Sequence, residues 1–348
     1  MADLPDANKA FNKVRKRALL PVQIREDICF WFKNASQIGG RLIEGSITLD
    51  KNILAGVPKE VFSGMTALEA PVRAPVSEFV LPAGNVGNFY VSTIRTAGRA
   101  GLVEHSFSNY RDMRLTVLSR RGEKVKSYLQ ELVEILYSDV FLEVRFLDEL
   151  DIQSFISPVN AIAPSNFSTD SGTKMLARRV LRSSYDVSEK IRCLPWLPSR
   201  PDGSRIFISR KKAKSRKIVN EDELFSRIKG YGFISVCMEE YSLREQIEMV
   251  NGADFVIGPH GAGMAHMVSA RPGASFIELS SRQYAMRAVN NFSPVAQSVG
   301  VNYHVLYCDE DGDSTAELVE NEGNDIVVGE AAVKEITSII IEGALADQ

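Results

Sequence analysis

The second half of the sequence alternates between short apolar runs and stretches with helical periodicity. Apolar runs at 205–209, 233–238, 254–257 and 275–279 predict four strands, and those at 301–307 and 326–328 predict two more. Helices are predicted to begin at Asn220 and Ser242, because each can cap free backbone amides and has a glutamate three positions later. A last helix is predicted from Ala331 to about Glu342. This alternation predicts a parallel sheet covered on both faces, which is a Rossmann-like layer.

The first half is less regular. Strands are predicted at 79–81, 114–118 and 140–146, helices at 123–137 and 174–182, and a loop at 160–173. The closely spaced Pro195, Pro198 and Pro201 break both helix and sheet, so they predict a linker. We therefore expect an N-terminal α/β domain over 1–190, whose first 40 residues would form an arm, a linker over 191–204, and a C-terminal Rossmann-like domain over 205–348.

Composition narrows the class of protein. The chain has 348 residues, 45% of them apolar and 24% charged, as in ordinary soluble globular proteins. Its four cysteines lack the spacing of a disulfide framework or a zinc site, which favours a reducing, cytoplasmic location. No apolar run approaches the roughly 20 residues of a membrane span. We therefore expect neither a secreted, disordered or collagen-like chain nor a membrane-spanning one.

Charge is concentrated at one place. The formal net charge is −3, which argues against a general nucleic-acid binder. Seven of the thirteen residues from Arg205 to Lys217 are nonetheless basic. Such a local patch suits a compact anionic ligand better than a long polyanion, and a solvated charged loop is the alternative.

Candidate chemistry lies where the predicted strands end. Gly258-Pro259-His260-Gly261-Ala262-Gly263 follows the third strand of the second half and precedes a predicted helix, so its backbone amides can approach a phosphate. Glu278, eighteen residues after His260, is placed as an acidic residue that takes ribose hydroxyls. Arg210 and Lys211 follow the first strand and should project over the same edge, with the arginine fork suited to diphosphate oxygens. The spacing differs from the GxGxxG of dinucleotide folds, so NAD is not specifically indicated.

At these positions the sequence resembles glycosyltransferase family 61, the group with capsular-polysaccharide and plant xylan-decorating enzymes. The matching stretches are ISRKKAKSRKIVNEDEL (Ile208–Leu224), YSLREQIEMVNGADFVIGPHGAGMAHM (Tyr241–Met267) and SFIEL (Ser275–Leu279). The resemblance implies a GT-B architecture, with two Rossmann-like domains facing a cleft. It also implies inverting transfer from a nucleotide-sugar to a carbohydrate or glycolipid acceptor, with no cofactor and no essential metal.

The resemblance and the residues together give a set of site predictions. His260 is the catalytic candidate and would protonate or polarise the leaving phosphate, with a structural role as the alternative. Asn220 and Glu221 are expected to cap and position rather than react. The predicted donor-binding residues are Ser209, Arg210, Lys211, Arg216, Asn220, Glu221, Gly258, Gly261, Ala262, Gly263, Met264, His266 and Glu278.

Two departures from the family pattern bear on activity. His266 stands where the family usually has asparagine, so one donor-side contact should differ. The family's N-terminal motif, NYYHWLxDxLPRL, has its nearest counterpart at 87–95, where Val91 replaces the histidine and Arg95 the acid. Inverting transfer needs a base near the acceptor hydroxyl, and this stretch supplies none. Glu104 and His105, in the same half, are possible substitutes, although the simpler interpretation is that each is a surface residue, and the base stays unassigned.

Other functions remain open at this point. One is a non-catalytic nucleotide-binding or partner protein with a degenerate acceptor site. Another is a different Rossmann enzyme, such as an NAD-dependent oxidoreductase. A glycolipid acceptor would place the protein at the inner face of a membrane through peripheral association. Nucleic acid is not an expected partner, because no aromatic platform is interleaved with the cations, and the oligomeric state is left open.

Overall fold

A computed structural model provides the fold of this chain. It describes residues 29–32, 42–43, 78–83, 87–101, 104, 110–119, 125–147, 161–164, 173–198, 203–281, 292–311 and 325–346. Within these ranges twelve strands form two six-stranded sheets. Most of the predicted arm over 1–40, and His105, lie outside the described residues.

The first sheet combines parallel and antiparallel pairing. Its strands follow the order β2-β1-β6-β3-β4-β5, and β1 pairs antiparallel with β2 and β6 while the other pairs are parallel. The strands are β1 (Cys29–Phe32), β2 (Leu42–Ile43), β3 (Glu78–Ala83), β4 (Arg114–Ser119), β5 (Glu143–Leu147) and β6 (Ala161–Pro164). Helices α1 (Ser127–Tyr137) and α2 (Thr173–Arg192) and a π-helix (Val91–Thr96) belong to this half.

The second sheet has the predicted Rossmann-like character. Its order is β12-β11-β10-β9-β7-β8, and every pair except β11–β12 is parallel. The strands are β7 (Ser204–Ile208), β8 (Phe233–Val236), β9 (Ala253–Pro259), β10 (Ser275–Ser281), β11 (Asn302–Glu310) and β12 (Ile326–Val327). The helices are α3 (Glu221–Ile228), α4 (Leu243–Gly252), α5 (Ser293–Val299), α6 (Glu330–Ala346) and a 3-10 helix (Ala262–Ser269).

Two apolar clusters hold these layers together. One lies on a single face of the second sheet, where α3 and α6 pack against residues such as Phe207 and Ile277. The other is continuous from the first sheet, including Leu81, to the opposite face of the second sheet, including Phe276. The second sheet is therefore covered on both faces, as predicted, and it shares a core with the first sheet.

Helix α2 connects the two halves. Its Ser183 approaches the turn at Gly98 so closely that a methyl group on Gly98 would lie 2.7 Å from the Cβ of Ser183. At its end, Arg192 donates to the carbonyl of Val299 on α5. The predicted linker continues this packing, because Trp196 is partly buried against the shared core and lies 4.5 Å below the guanidinium of Arg244. The boundaries of the two domains stay predictions.

Three details of the sequence interpretation were wrong. Part of the predicted loop at 160–173 is β6, which pairs with β1 and β3 because tertiary partners decide so short an apolar run. The sixth predicted strand of the second half, β12, is antiparallel to β11 rather than parallel. Asn220 precedes α3, but its side chain makes no cap; it bonds the backbone of Val328 instead. The capping box of Ser242 and Glu245 is confirmed.

Candidate active site

The site lies at the carboxyl edge of the second sheet. The chain runs from β7 outward to β8 and then returns to place β9 on the other side of β7, so the strand order reverses between β7 and β9. Ligands of open α/β sheets bind in the crevice outside this switch point. The segments after β7 and β9 are those that begin with Ser209 and with His260.

A buried carboxylate fixes the first of these segments. Glu221, 3% exposed, accepts a 2.5 Å hydrogen bond from the hydroxyl of Ser209 and a 3.3 Å bond from the backbone N–H of Arg210. The Ser209 hydroxyl in turn accepts from the backbone N–H of Lys211. Glu221 therefore positions the turn that presents Arg210, which agrees with the positioning role expected from the sequence.

Arg210 lies against the glycine-rich turn, and the guanidinium of Arg216 is close enough to Arg210 to affect its charge. The guanidinium of Arg210 reaches Gly261, where an added methyl group would lie 2.5 Å from its Nη1, and it also donates to the carbonyl of Ser215. Burial and the neighbouring Arg216 guanidinium lower the pKa of Arg210 from its usual value. The Nε atoms of both arginines are buried and have no hydrogen-bond acceptor among the described residues. Two adjacent cations with unsatisfied donors are arranged to receive an anion.

A second polar group is built around His260. Its backbone N–H donates to the carbonyl of Leu279 at 2.8 Å, and its Nδ1 lies 2.5 Å from Oε1 of Glu278. The other carboxylate oxygen of Glu278 accepts a hydrogen bond from the hydroxyl of Tyr303. His260 and Glu278 are 7% and 2% exposed, so the pair is held inside the protein. This arrangement gives Glu278 a partner that the sequence did not suggest, and its ribose role stays a prediction.

The first half of the chain reaches this edge through aromatic rings. Phe89, in the stretch that corresponds to the family's N-terminal motif, stacks on His266 with ring centroids 4.3 Å apart. Tyr90 contacts Phe292 edge-on at 5.5 Å, and Phe292 contacts the ring of His260 in the same way. The guanidinium of Arg95 lies 5.5 Å from the centre of the Tyr90 ring. The 87–95 stretch therefore borders the site.

His266 should make stability depend on pH. Burial lowers the pKa of His266 to about 4 from its usual 6.5. Between pH 6.5 and pH 4, the His266 ring is therefore protonated in the unfolded chain but stays neutral in the folded protein. Stability is then lost as the pH falls, by up to about 1.4 kcal/mol per pH unit, until the folded protein also protonates near pH 4. In urea titrations between pH 7 and 4, His266→Phe should show a shallower loss of unfolding free energy than the wild type. Equal slopes would contradict the buried, neutral state of His266.

The other residues predicted to bind the donor differ in their exposure and in their partners. Lys211 is half exposed, and its ammonium group pairs with Asp222. Met264 lies in the apolar core at 1% exposure, so only its backbone can contact a ligand.

The remaining predicted residues lie on regular elements. Gly258 lies within β9, opposite Glu278 in register. Ala262 and Gly263 begin a 3-10 helix rather than the α-helix expected, and they remain partly exposed. Glu104, a candidate base, is ion-paired to Lys190.

Sequence reasoning missed Tyr303, Phe89 and Phe292. Tyr303 could have been found only from the register of β10 and β11, in which Glu278 lies opposite Val305 and thus beside Tyr303. The two phenylalanines depend on how the halves pack, which no local pattern encodes.

Two kinds of feature are absent from the part of the chain that the structure describes. The described residues include no group of three or more His, Cys, Asp or Glu side chains that could hold a metal ion. Nor do they include a helix with the length and hydropathy needed to cross a bilayer.

Known proteins resemble part of this chain. Residues 114–277 match the family model described as Glycosyltransferase 61. A β-1,2-xylosyltransferase of Arabidopsis thaliana is 27% identical over 109 residues, which are 28% of this chain and 20% of that protein. The EGF domain-specific O-linked N-acetylglucosamine transferase of Mus musculus is 32% identical over 80 residues, which are 22% of this chain and 15% of that protein. The matches thus span about a fifth or less of these relatives.

A solved structure is also similar. It is the crystal structure of a bacterial iron-containing dodecameric glycosyltransferase, TibC from enterotoxigenic E. coli H10407. The structural match covers 79% of this chain and 78% of that protein's chain, with a TM-score of 0.43 and 9% sequence identity.

Proposed function

We propose that this chain, whose residues 114–277 match the Glycosyltransferase 61 family model, belongs to that family and transfers a sugar from a nucleotide-sugar donor to a hydroxyl group of a carbohydrate acceptor during glycan synthesis. One observation carries the donor half of this proposal. The buried Nε atoms of Arg210 and Arg216 meet no acceptor among the described residues, and Arg210 lies beside Gly261 at the switch point of the second sheet. A diphosphate is an anion that such a pair suits.

The proposed reaction is a single displacement at the anomeric carbon. The acceptor oxygen forms a bond to that carbon from one side, and the bond to the diphosphate oxygen breaks on the other, so the configuration inverts. The electron pair leaves with the nucleoside diphosphate. Arg210 and Arg216 stabilise the charge that develops there, because fixed cations at the leaving group lower the barrier. Backbone amides of the turn at Gly261 add to this, and no metal or cofactor is needed in the scheme.

The two halves would divide the substrates. Residues 205–348 would hold the donor, and 1–190 the acceptor, as in a GT-B arrangement of two domains. The position of the 87–95 stretch beside His260 and His266 supports an acceptor-side role for the first half. We propose that the protein acts in the cytoplasm, as its cysteine pattern favours, and at the inner face of a membrane if the acceptor is a glycolipid.

Nucleotide binding tests the donor half directly. In calorimetric titrations with UDP, GDP, CDP, CMP and NADH, we expect one nucleoside diphosphate to bind. Arg210→Ala should weaken that binding roughly 10- to 100-fold, because hydrogen bonds to charged groups contribute about 1.5–3 kcal/mol each. Full affinity in the variant would overturn the diphosphate assignment. NADH binding instead would favour an oxidoreductase, and diphosphate binding without transfer to any acceptor would favour a non-catalytic protein.

A glycine pair provides the matched control for that titration. Gly261→Ala should also weaken binding, because its methyl group would displace the guanidinium of Arg210. Gly230→Ala should not, since none of the described atoms lies within 4 Å of its added methyl group. If both variants bind alike, the contact between Gly261 and Arg210 does not shape the donor site.

A further inference from the structure

Arg216 has an unusual backbone conformation. Its φ angle is 57°, and among the described residues it is the one residue other than glycine with a positive φ angle. This left-handed region is disfavoured for a residue with a Cβ atom, so the surrounding structure must hold Arg216 there. Such residues are concentrated at functional sites, and the guanidinium of Arg216 is close to that of Arg210 in the proposed donor site.

Both peptide units that flank Arg216 are held by side chains. The carbonyl of Ser215, whose direction depends on the φ angle of Arg216, accepts a 3.1 Å hydrogen bond from Nη2 of Arg210. The backbone N–H of Lys217, whose direction depends on the ψ angle of Arg216, donates to Oδ1 of Asp325 at 2.8 Å. Arg210 and Asp325 thus hold the two backbone angles that determine where the Arg216 side chain points.

Asp325 is itself fixed by the strands on either side of it. Its backbone carbonyl accepts a hydrogen bond from the N–H of Asp311, the residue that follows β11. The next residue, Ile326, begins β12; its N–H donates to the carbonyl of Lys217 at 2.8 Å, and its carbonyl accepts from the N–H of Val219 at 2.9 Å. The carboxylate that receives the Lys217 amide is therefore attached to the second sheet.

We infer that Asp325 is a positioning residue of the proposed donor site, because it holds the backbone conformation in which Arg216 lies close to Arg210. This role rests on the proposed function, in which the two arginines bind the diphosphate of the donor. Asp325 lies outside residues 114–277, the range that matches the family model. Without its carboxylate, the Lys217 amide loses its acceptor, Arg216 returns to a commoner backbone conformation, and its guanidinium moves away from Arg210.

The charge of Asp325 and its hydrogen bond have opposite consequences for an anionic ligand. Asp325 acts on Arg210 through its charge, which counters the lowering of the Arg210 pKa by burial and, to a smaller extent, by Arg216. A carboxylate near Arg210 repels a diphosphate, so a role through charge alone predicts tighter binding when Asp325 is neutralised. A role through the Lys217 amide predicts weaker binding when the acceptor is removed, and little change when an amide oxygen replaces the carboxylate oxygen.

Inorganic pyrophosphate is the probe for this role, because it presents the diphosphate without a base or a sugar. In calorimetric titrations of the full chain, Arg216→Ala should weaken pyrophosphate binding about 10- to 100-fold, the value of a hydrogen bond to a charged group. Asp325→Ala should weaken it about 5- to 10-fold, because the arginine remains but is no longer held in place. Asp325→Asn keeps an oxygen acceptor for the Lys217 amide and should stay within about threefold of the wild type.

Glu330→Ala is the matched control. The carboxylate of Glu330 pairs with Arg227, so it joins α6 to α3 in the same region without touching the backbone at Arg216. Exposed ion pairs contribute little, so the affinity of Glu330→Ala for pyrophosphate should stay within about twofold of the wild type.

A double-mutant cycle tests whether Asp325 acts through Arg216. In the Arg216→Ala background, Asp325→Ala should have no further effect on the Kd of pyrophosphate, since the side chain that it positions is gone. Additive losses would show that Asp325 contributes by another route and would overturn the inference.

Hydrogen exchange provides a readout that needs no ligand. In mass spectrometry of the peptide over 210–220, the amides should exchange faster in Asp325→Ala than in Asp325→Asn or Glu330→Ala, because the Lys217 amide has lost its acceptor.

A second pair of variants serves if Asp325→Ala does not fold. Glycine adopts a positive φ angle without steric cost, so Arg216→Gly should unfold at a higher urea concentration than Arg216→Ala. The reverse order would contradict the left-handed conformation on which the role of Asp325 depends.

The outcomes separate this role from the proposed function. Unchanged or tighter pyrophosphate binding in Asp325→Ala, or an equal loss in Asp325→Asn, overturns the positioning role even when the wild type binds. If the wild type binds neither pyrophosphate nor a nucleoside diphosphate, the proposed function is contradicted. Faster exchange in Asp325→Ala would still show in that case that Asp325 fixes the backbone at Arg216.

Discussion

His260→Gln is expected to reduce the kcat of sugar transfer by about two to four orders of magnitude, because His260 is the candidate proton donor to the leaving phosphate and a positioned acid–base group usually contributes that much. Glutamine can still donate a hydrogen bond to Glu278, so the buried carboxylate keeps a partner and the fold should persist. Its amide cannot transfer a proton to the leaving phosphate as an imidazolium can. Steady-state kinetics with the donor found by calorimetry measures the effect.

The donor affinity of this variant is the internal control. Arg210 and Arg216 remain, so the Kd of the nucleoside diphosphate should change only a few-fold. A loss confined to kcat is the signature of an interaction made in the transition state. His304→Gln, on β11 but outside the polar group of His260, should retain full kcat. A His260→Gln variant within tenfold of wild-type kcat would remove His260 from the chemistry.

Phe276→Ala is expected to lower the unfolding free energy by about 3–5 kcal/mol, because it empties a fully buried site in the apolar cluster that the two sheets share. The apolar cluster that contains Phe276 continues into the first sheet, where Leu81 is also fully buried. Leu81→Ala should therefore cost about 2–5 kcal/mol and shift the same transition. Differential scanning calorimetry of both variants and the wild type measures this.

The calorimetric traces distinguish a shared core from independent halves. One transition that moves in both variants would show that the sheets unfold together. Two transitions, of which Phe276→Ala moves one and Leu81→Ala the other, would show instead that the proline-rich stretch at 191–204 separates autonomous domains. That second outcome would contradict a cooperative coupling of the two halves through helix α2.

The second sheet could be predicted from the sequence because the patterns that indicate its strands and helices lie within short stretches of the chain. Buried parallel strands appear as short apolar runs, and the carboxyl ends of neighbouring strands must meet at one edge. That reasoning correctly brought Arg210, the turn at Gly261 and His260 to a common place. The antiparallel direction of β12 could not be predicted in this way, because the direction of an edge strand depends on the path of the connecting chain and not on the strand's own residues.

The hydrogen-bond partners of the polar side chains could not be predicted from the sequence. Asn220 has the sequence of a helix cap, yet two backbone bonds to Val328, 108 positions later, outweigh a local cap. Glu278 has the spacing of a ribose ligand, yet it is engaged by His260 and Tyr303. In both cases the competing partner is distant in sequence, and spacing rules consider only local partners.

The attachment of the arginine-bearing segment to the last strand has a consequence for how the protein is made. Lys217 and Val219 bond to Asp325 and Ile326, and Asn220 bonds to Val328, so the 210–220 segment is held by residues synthesised about a hundred positions later. A nascent chain that has emerged only as far as 320 already contains Arg210, Arg216, His260 and Tyr303. It lacks the residues 325–328 to which the end of this segment, directly after Arg216, is bonded. Because domains fold as the chain emerges from its N-terminal end, donor binding should be among the last properties that the growing chain acquires.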